Sequence, residues 1–202
     1  MHNETKAVIW DMGGVLLREW DPTPRQQLAA DWGIPLKTLN QLVFQSESAR
    51  LAALGDVSEQ EHWEWIRRQV GVPAADLSDF QLQFWAGDRI DPDIREFLAS
   101  LKNDYLIALL SNAWTGTRKV LDEYYNCLEL FHHAIISAEV RLAKPDPAIY
   151  HLMLDQLEVK PGQAIFVDDL QENIDAAEQL GIHGIHFLNA QQAISDVRQL
   201  LS

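Results

Sequence analysis

The chain has 202 residues, of which 47% are hydrophobic, and this is enough apolar material to bury a substantial core. Its 30 acidic and 16 basic residues give a formal net charge of −14, a field that disfavours nucleic acid and anionic membranes as partners. There is a single cysteine, Cys127, and no apolar run approaches the roughly 18 residues of a membrane helix. We therefore expect a soluble, cytoplasmic globular protein without a secretory signal.

Five short apolar segments predict buried β-strands. Each is rich in Val, Ile, Leu or aromatic residues and lacks alternation between apolar and polar positions, as is typical of strands covered on both faces. The segments are residues 7–10, 105–110, 134–137, 164–167 and 184–187. Helical patterns lie between the later segments, over residues 92–101, 114–125, 147–157 and 173–180. Strands that alternate with helices predict a parallel sheet with right-handed crossovers.

The segment from residue 17 to residue 88 contains only helical patterns, over residues 24–32, 36–54, 58–70 and 77–85. Ser58 and Glu61 have the spacing of a capping box at the start of one of these helices. The segment carries five of the seven tryptophans, which we expect to form the core of a small helical lobe: Trp20, Trp32, Trp63, Trp65 and Trp85. The predicted fold is α/β, with a Rossmann-like parallel sheet core (1–16 and 89–202) and an inserted all-helical cap (17–88).

Polar residues follow four of the predicted strands, at the edge of a parallel sheet where ligands bind. In chain order these are Asp11-Met12-Gly13-Gly14-Val15, Ser111-Asn112, Lys144-Pro145 (after a short loop) and Asp168-Asp169. Each is weak evidence alone, because aspartate, Ser-Asn and Lys-Pro are common in turns. Their occurrence in this order at strand ends makes a coincidence improbable.

This set of groups suits phosphoryl transfer through an aspartyl-phosphate, since a carboxylate can attack phosphorus and divide one displacement into two. Carboxylate and phosphate repel each other, so a magnesium ion must bridge them. Asp11, the carbonyl group of Gly13 and Asp169 are the expected metal ligands, with Asp168 beside or behind them. Lys144 would neutralise the phosphate and the nucleophile together.

The substrate phosphate needs hydrogen-bond donors as well. The Ser111 hydroxyl, the backbone N–H that follows it and the amides of the Met12-Gly13 turn are suitable donors to phosphate oxygens.

Two further residues are open to alternative interpretations: Asn173 either orients Lys144 or caps a helix, and Trp114 either forms a wall of the pocket or packs beneath it.

With these residues the chain resembles the haloacid dehalogenase superfamily of hydrolases, in the branch that carries a helical cap directly after the first motif. The resemblance covers about residues 7–187, and it is greatest to small sugar-phosphate phosphatases whose first motif also reads Asp-x-Gly. Four motifs carry it, namely Asp11-Met12-Gly13-Gly14-Val15-Leu16, Ser111-Asn112, Lys144-Pro145, and Asp168-Asp169 with Asn173. The resemblance implies that Asp11 is nucleophile and magnesium ligand, that Asp169 is the other metal ligand, and that Ser111, Asn112 and Lys144 bind phosphate.

The chain departs from this family at Gly13. Phosphatases of the superfamily usually have an aspartate there, which protonates the leaving alcohol and later activates water. General acid–base catalysis of this kind contributes about 10²- to 10⁴-fold in rate. Three consequences are open: a slow phosphatase, an enzyme for better leaving groups such as an anomeric hydroxyl or an aryl alcohol, or a protein that binds phosphate without turnover.

The prediction for function is a magnesium-dependent phosphatase that hydrolyses a small organic phosphate ester, with a sugar phosphate as one candidate. Cap opening and closing would exclude water during the first step. Two alternatives stay open: a catalytically weak or inactive regulatory protein that binds a phosphate ligand, and a metal-independent haloacid dehalogenase in which Asp11 attacks carbon. We rank the dehalogenase lower, because the Asp168-Asp169 pair favours a metal.

Overall fold

The computed structural model describes residues 5–202. The strands are β1 (Ala7–Trp10), β2 (Leu17–Glu19), β3 (Asp88–Ile90), β4 (Leu106–Ser111), β5 (His133–Ile136), β6 (Ala164–Asp168) and β7 (His183–His186). The helices are α1 (Thr23–Asp31), α2 (Leu36–Phe44), α3 (Glu47–Ala53), α4 (Glu59–Val70), α5 (Leu77–Trp85), α6 (Pro92–Leu101), α7 (Thr117–Glu123), α8 (Ser137–Val140), α9 (Pro147–Leu157), α10 (Gln171–Gln179) and α11 (Ala190–Leu201). No helix in residues 5–202 has both the length and the apolar character needed to cross a lipid bilayer.

Five strands form one parallel sheet in the order β5-β4-β1-β6-β7, as the pattern of apolar segments predicts. The side chains of β1 alternate between two hydrophobic cores, one on each face of the sheet. Val8 and Trp10 pack in one core, and Ala7 and Ile9 pack in the other. Both faces are covered by helices, which is why these strands show no polar alternation. The α/β fold with a Rossmann-like sheet is confirmed.

The C-terminal helix α11 is missing from the sequence-based prediction. Its signals are present in the chain, because the Asn189 side chain accepts a hydrogen bond from the Gln192 N–H (3.0 Å) and so caps the helix. Ala190, Ala193 and Val197 then form its buried face against the sheet. Ile194 and Leu201 pack against the same core, so the apolar positions follow the spacing of an amphipathic helix and the sequence alone could have indicated it.

The segment between β2 and β3 is helical, but the prediction of an insertion without strands is wrong at its base. Strands β2 and β3 pair antiparallel, with Leu17 opposite Ile90 and Glu19 opposite Asp88. Strands of three residues are too short to show a periodic pattern. The division into a core of residues 1–16 and 89–202 and a cap of residues 17–88 stays a prediction, and residues 1–4 lie outside the described part of the chain.

The single helix predicted over residues 36–54 is two helices, α2 and α3. The Ser46 side chain accepts a hydrogen bond from the Ala49 N–H (3.1 Å) and caps the second helix at its first turn. The capping box of Ser58 and Glu61 at the start of α4 is confirmed. Ser46 lies within a continuous apolar pattern, so the sequence did not indicate that a new helix begins there.

The cap has its own hydrophobic core, built from α1, α2, α4 and α5 around the buried side chain of Trp63. Trp32, Trp65 and Trp85 pack against this core and are partly buried. Trp20 does not belong to it, since it lies outside the helices and is 51% exposed. The expectation that the tryptophans form the lobe's core therefore holds for four of the five.

Trp114, which belongs to the loop after β4, packs into the cap. Its ring centroid lies 4.7 Å from that of His62 and 6.2 Å from that of Trp85. Next to it, the Gly116 N–H donates to a carboxylate oxygen of Glu59 at the start of α4 (3.1 Å). The loop that carries the second motif is thus connected to the cap by both apolar and polar contacts.

Candidate active site

The four predicted motifs meet at the carboxyl edge of the sheet, because β1 lies between β4 and β6. Asp11 follows β1 directly, and its N–H donates to the carbonyl oxygen of Val167 on β6 (2.9 Å). The Lys144 ammonium lies between two carboxylates and donates to Asp11 Oδ1 and to Asp168 Oδ2, each at 2.6 Å. The three side chains come from segments more than 20 residues apart in the chain.

Asp11, Asp168 and Asp169 each present a carboxylate oxygen, and these three atoms lie within 4.8 Å of one another. When all three are ionised, the single charge of Lys144 leaves two negative charges uncompensated in this cluster. Closely spaced carboxylates with an excess of two negative charges fit a divalent cation, and oxygen-only ligands are those that magnesium prefers. The residues present therefore suit the metal that the sequence predicts.

The pKa values of Asp11, Asp169 and Lys144 are raised, as expected where negative charge is in excess. Burial, together with the nearby charge of Asp168, raises the pKa of Asp11 to about 7, although Lys144 acts in the opposite direction. Burial and Asp168 also raise the pKa of Asp169. Burial by itself would lower the pKa of Lys144, but the charges of Asp11 and Asp168 outweigh it and raise that pKa. Lys144 is thus a permanent cation, and a bound divalent ion would return the carboxylates to their ionised forms.

Asp168 is held in place by a network that the sequence did not reveal. Its Oδ1 accepts hydrogen bonds from the Leu170 N–H (2.8 Å) and from Asn173 Nδ2 (2.9 Å). Asn173 lies buried on α10, and its carbonyl oxygen accepts the Tyr150 hydroxyl (2.9 Å). Asn173 therefore orients Asp168, and this is neither of the two roles considered for it.

Asn112 holds the main chain of the lysine. Its Nδ2 donates to the Lys144 carbonyl oxygen and its Oδ1 accepts the Lys144 N–H, both at 2.8 Å. Next to it, the Ser137 hydroxyl accepts the Ala113 N–H (3.0 Å) and donates to the Ala113 carbonyl oxygen (3.2 Å). Sequence reasoning missed Ser137, since a serine at a strand end carries no distinctive signal. The phosphate-binding role expected for Asn112 stays a prediction.

The turn after Asp11 brings two glycines into different surroundings. Gly14 has a φ of +79°, and a β-carbon there would lie 2.3 Å from Asp169 Oδ2, so only glycine permits this approach. Gly13 is exposed and has open space where a β-carbon would be. Met12 precedes it and is partly buried, and its carbonyl oxygen accepts the Leu17 N–H (2.7 Å).

Ser111, the last predicted site residue, ends β4 and is buried beside the strand that carries Asp11. The described structure thus brings Asp11, Lys144, Asp168 and Asp169 into one cluster, with the other predicted site residues on the segments around it. These residues are Met12, Gly13, Ser111 and Asn112. The catalytic, phosphate-binding and metal-binding roles assigned to all of them remain predictions.

Comparison with known proteins identifies relatives of the chain. A family model described as haloacid dehalogenase-like hydrolase matches residues 5–181. A sesquiterpene phosphatase from Aspergillus oryzae is 28% identical over 197 residues, which is 97% of this chain and 96% of that protein.

Two solved structures share the fold. A haloacid dehalogenase family enzyme from Bacteroides thetaiotaomicron, in complex with magnesium and inorganic phosphate, superposes with a TM-score of 0.76 over 90% of this chain and 93% of its own, at 22% identity. The L-2-haloacid dehalogenase from Xanthobacter autotrophicus, with chloropropionic acid covalently bound, superposes with a TM-score of 0.68 over 98% of this chain and 84% of its own, at 20% identity. At these identities the likeness concerns the fold alone. The family model covers most of the chain, and the chain belongs to the haloacid dehalogenase-like hydrolases.

Proposed function

We propose that this hydrolase is a magnesium-dependent phosphatase that acts on a small organic phosphate ester through an aspartyl-phosphate. The observation that carries the proposal is the position of Lys144 between Asp11 and Asp168, whose carboxylates form one cluster with that of Asp169. A dehalogenase that attacks carbon requires no such cluster of negative charge. The phosphatase named among the relatives and the magnesium and phosphate in a neighbouring structure support the same proposal.

In this mechanism Asp11 is the nucleophile. Lys144 holds one of its carboxylate oxygens at 2.6 Å. The carboxylate attacks phosphorus in line with the ester bond, the bond between phosphorus and the ester oxygen breaks, and the alcohol leaves with a proton from solvent. When bound, magnesium supplies positive charge that draws the phosphate and the carboxylate together and polarises the phosphoryl group. Asp11, Asp169, the Gly13 carbonyl group and Asp168 are the residues that would hold it.

Other groups of the chain bind the phosphate and keep it in position. The Ser111 hydroxyl, Asn112 and the amides of Met12 and Gly13 donate to its oxygens, and Lys144 compensates its charge. Water then attacks phosphorus in the aspartyl-phosphate, the phosphorus–oxygen bond to Asp11 breaks, and inorganic phosphate leaves. The partner of the site is thus a small phosphate ester, and a sugar phosphate remains one candidate.

The decisive experiment replaces the nucleophile and removes the metal. Asp11→Asn keeps the size of the side chain but removes its nucleophilic oxygen, so we expect hydrolysis of phosphate esters to fall by about 10³-fold or more. Asp155→Asn is the matched control, since Asp155 is exposed on α9 and belongs to none of the four motifs, and we expect it to retain parental activity. Turnover should also stop when magnesium is removed with a chelator and return when it is added.

Each alternative function has its own signature in this experiment. Release of halide from a 2-haloacid without magnesium would show a dehalogenase. Binding of beryllium fluoride without turnover of any phosphate ester would show a regulatory protein. An Asp11→Asn variant that hydrolyses phosphate esters as fast as the parent would disprove the proposed mechanism.

A further inference from the structure

The Lys144 ammonium has an aromatic neighbour in addition to its two carboxylates. Its Nζ lies over the Phe166 ring, 5.4 Å from the ring centroid. Phe166 and Asp168 are two residues apart on β6, so their side chains lie on the same face of the sheet. Both are fully buried. One strand therefore supplies Lys144 with a carboxylate and, beside it, an aromatic face that attracts a cation.

Tyr150 connects Phe166 with the other partner of Asp168. Its ring packs edge-to-face against that of Phe166, with 5.5 Å between the centroids and 83° between the ring planes. Its hydroxyl donates to the main-chain carbonyl oxygen of Asn173 (2.9 Å), and the Asn173 side chain donates to Asp168 (2.9 Å). These contacts form a closed network of five buried residues, in which a polar branch and an aromatic branch lead from Tyr150 to the Lys144 ammonium.

The bond made by the Tyr150 hydroxyl joins two helices. Asn173 lies in the first turn of α10, where the carbonyl oxygen of a helical residue also accepts the N–H four residues further on. The Tyr150 hydroxyl is thus a second donor to this oxygen, and it comes from α9. Because the oxygen keeps its helical donor without it, the bond is not needed to satisfy the backbone of α10. Its consequence is that the turn carrying Asn173 is fixed against the helix that begins shortly after Lys144.

We propose that Tyr150 is a positioning residue for Lys144 in the phosphatase reaction. This inference rests on the proposed function, in which Lys144 compensates the charge of the nucleophile and of the phosphate. The hydroxyl of Tyr150 holds Asn173 and thereby Asp168, and its ring supports Phe166. Both branches keep the ammonium where it can bind Asp11 and a phosphate oxygen at the same time. Tyr150 acts through these neighbours and is not itself a catalytic residue.

The first test removes the hydroxyl and keeps the ring. For Tyr150→Phe we expect kcat on nitrophenyl phosphate with magnesium to fall about 2- to 10-fold, which corresponds to one net hydrogen bond. KM should stay nearly constant, because a displaced charge matters most while the phosphoryl group is transferred. Tyr125→Phe is the matched control, since the Tyr125 hydroxyl also donates to a main-chain carbonyl oxygen, that of Asp88 (3.4 Å), and lies outside the network. It should keep the parental kcat, and an unchanged kcat in Tyr150→Phe would overturn the proposal.

A double-mutant cycle with Asn173→Ala distinguishes positioning from a general loss of packing. Once the Asn173 side chain is removed, the Tyr150 hydroxyl has no connection to Asp168. Tyr150→Phe should therefore lower kcat in the parent and leave it unchanged in the Asn173→Ala background. The same fold-loss in both backgrounds would show that the hydroxyl does not act through Asn173, and it would contradict the polar branch.

NMR spectroscopy follows the ammonium itself and does not depend on turnover. In the parent labelled with ¹⁵N-lysine we expect a cross-peak from the Lys144 ammonium, because its protons are buried and bonded to two carboxylates. Its absence in Lys144→Arg assigns it. Tyr150→Phe should shift or broaden this cross-peak, and Tyr125→Phe should leave it in place. Phe166→Leu removes the aromatic face and should also move the cross-peak, so it tests the second branch even if Tyr150→Phe fails to fold.

The two readouts separate this inference from the proposed function. A parent that hydrolyses no phosphate ester would overturn the proposed function, and the cross-peak would still report whether Tyr150 positions the ammonium. A Lys144 cross-peak that neither Tyr150→Phe nor Phe166→Leu moves would overturn the inference and leave the phosphatase intact.

Discussion

Lys144 shows how one side chain sets the electrostatics of the site. It is buried with its ammonium between Asp11 and Asp168, so it cannot leave either carboxylate without exposing an unpaired buried charge. Asn112 fixes its main chain and Asn173 fixes Asp168, so both ends of the arrangement are anchored. The excess negative charge that remains is a consequence of this fixed geometry, and it is what makes the site suitable for a divalent cation.

Gly14 gives a prediction at the scale of a single residue. In Gly14→Ala, the new methyl group would lie 2.3 Å from Asp169 Oδ2 on a backbone with φ of +79°, so Asp169 must move. We expect loss of the magnesium-dependent rise in melting temperature and at least a tenfold loss of activity. Gly71→Ala is the control, because Gly71 has a φ of +88° with open space around it. Retention of the magnesium response by Gly14→Ala would refute the predicted role of Asp169.

One contact between the helical cap and the core is a close approach of two backbone segments. At Gly55, after α3, a β-carbon would lie 2.4 Å from the carbonyl oxygen of Ala138 on α8. Nearby, Arg141 and Asp56 form an ion pair at 2.5 Å. Together with Trp114 in the cap's core, these contacts hold the cap against the sheet edge. Any opening of the cap would have to break them, and such opening remains a prediction.

The contribution of the Gly55 contact to the free energy of unfolding can be separated from the cost of backbone strain. Gly55→Ala and Gly33→Ala both place alanine at a positive φ, +69° and +64°, but only Gly55 faces another backbone. The strain alone costs about 1 to 2 kcal/mol. We therefore expect a loss of that size in the free energy of unfolding for Gly33→Ala and a clearly larger loss for Gly55→Ala, both from urea denaturation. Equal losses would mean that the cap moves away from the core at little cost.

Carboxyl groups with raised pKa values make the stability of the whole molecule depend on pH. The pKa of Asp11 is about 7 in the fold against an ordinary value of 3.8, so the folded chain binds this proton more tightly than the unfolded chain. Without metal, stability should therefore fall as pH rises from about 4 to about 7. The raised pKa values of Asp169 and of partly buried Asp88, the latter about 6, act in the same direction.

Thermal unfolding at pH 5 and pH 8, with and without magnesium, checks this expectation. The ion needs ionised carboxylates, so the increase in melting temperature that it produces should be larger at pH 8. Asp11→Asn removes the titrating group and should weaken both the metal-free pH dependence and the magnesium effect. A magnesium effect that is equal at both pH values would contradict the assigned ligands.

The sequence by itself determined the parallel sheet and the chemical character of its edge. Apolar segments without alternation specify strands covered on both faces, and the carboxyl ends of neighbouring parallel strands meet whatever the details of packing. This is why the sequence alone predicts that Asp11, Lys144, Asp168 and Asp169 lie close together. The helix limits of 92–101 and 147–157 were also predictable, because proline and aspartate mark their first turns.

Only the tertiary structure decided how these groups are connected. The role of Asn173 toward Asp168, the contact of Ser137 with Ala113 and the contrast between Gly13 and Gly14 depend on distances between atoms far apart in the chain. Side chains such as asparagine and serine serve equally well in caps, turns and networks, so their type alone does not select a partner. Their function follows from which neighbour the fold brings within hydrogen-bonding distance.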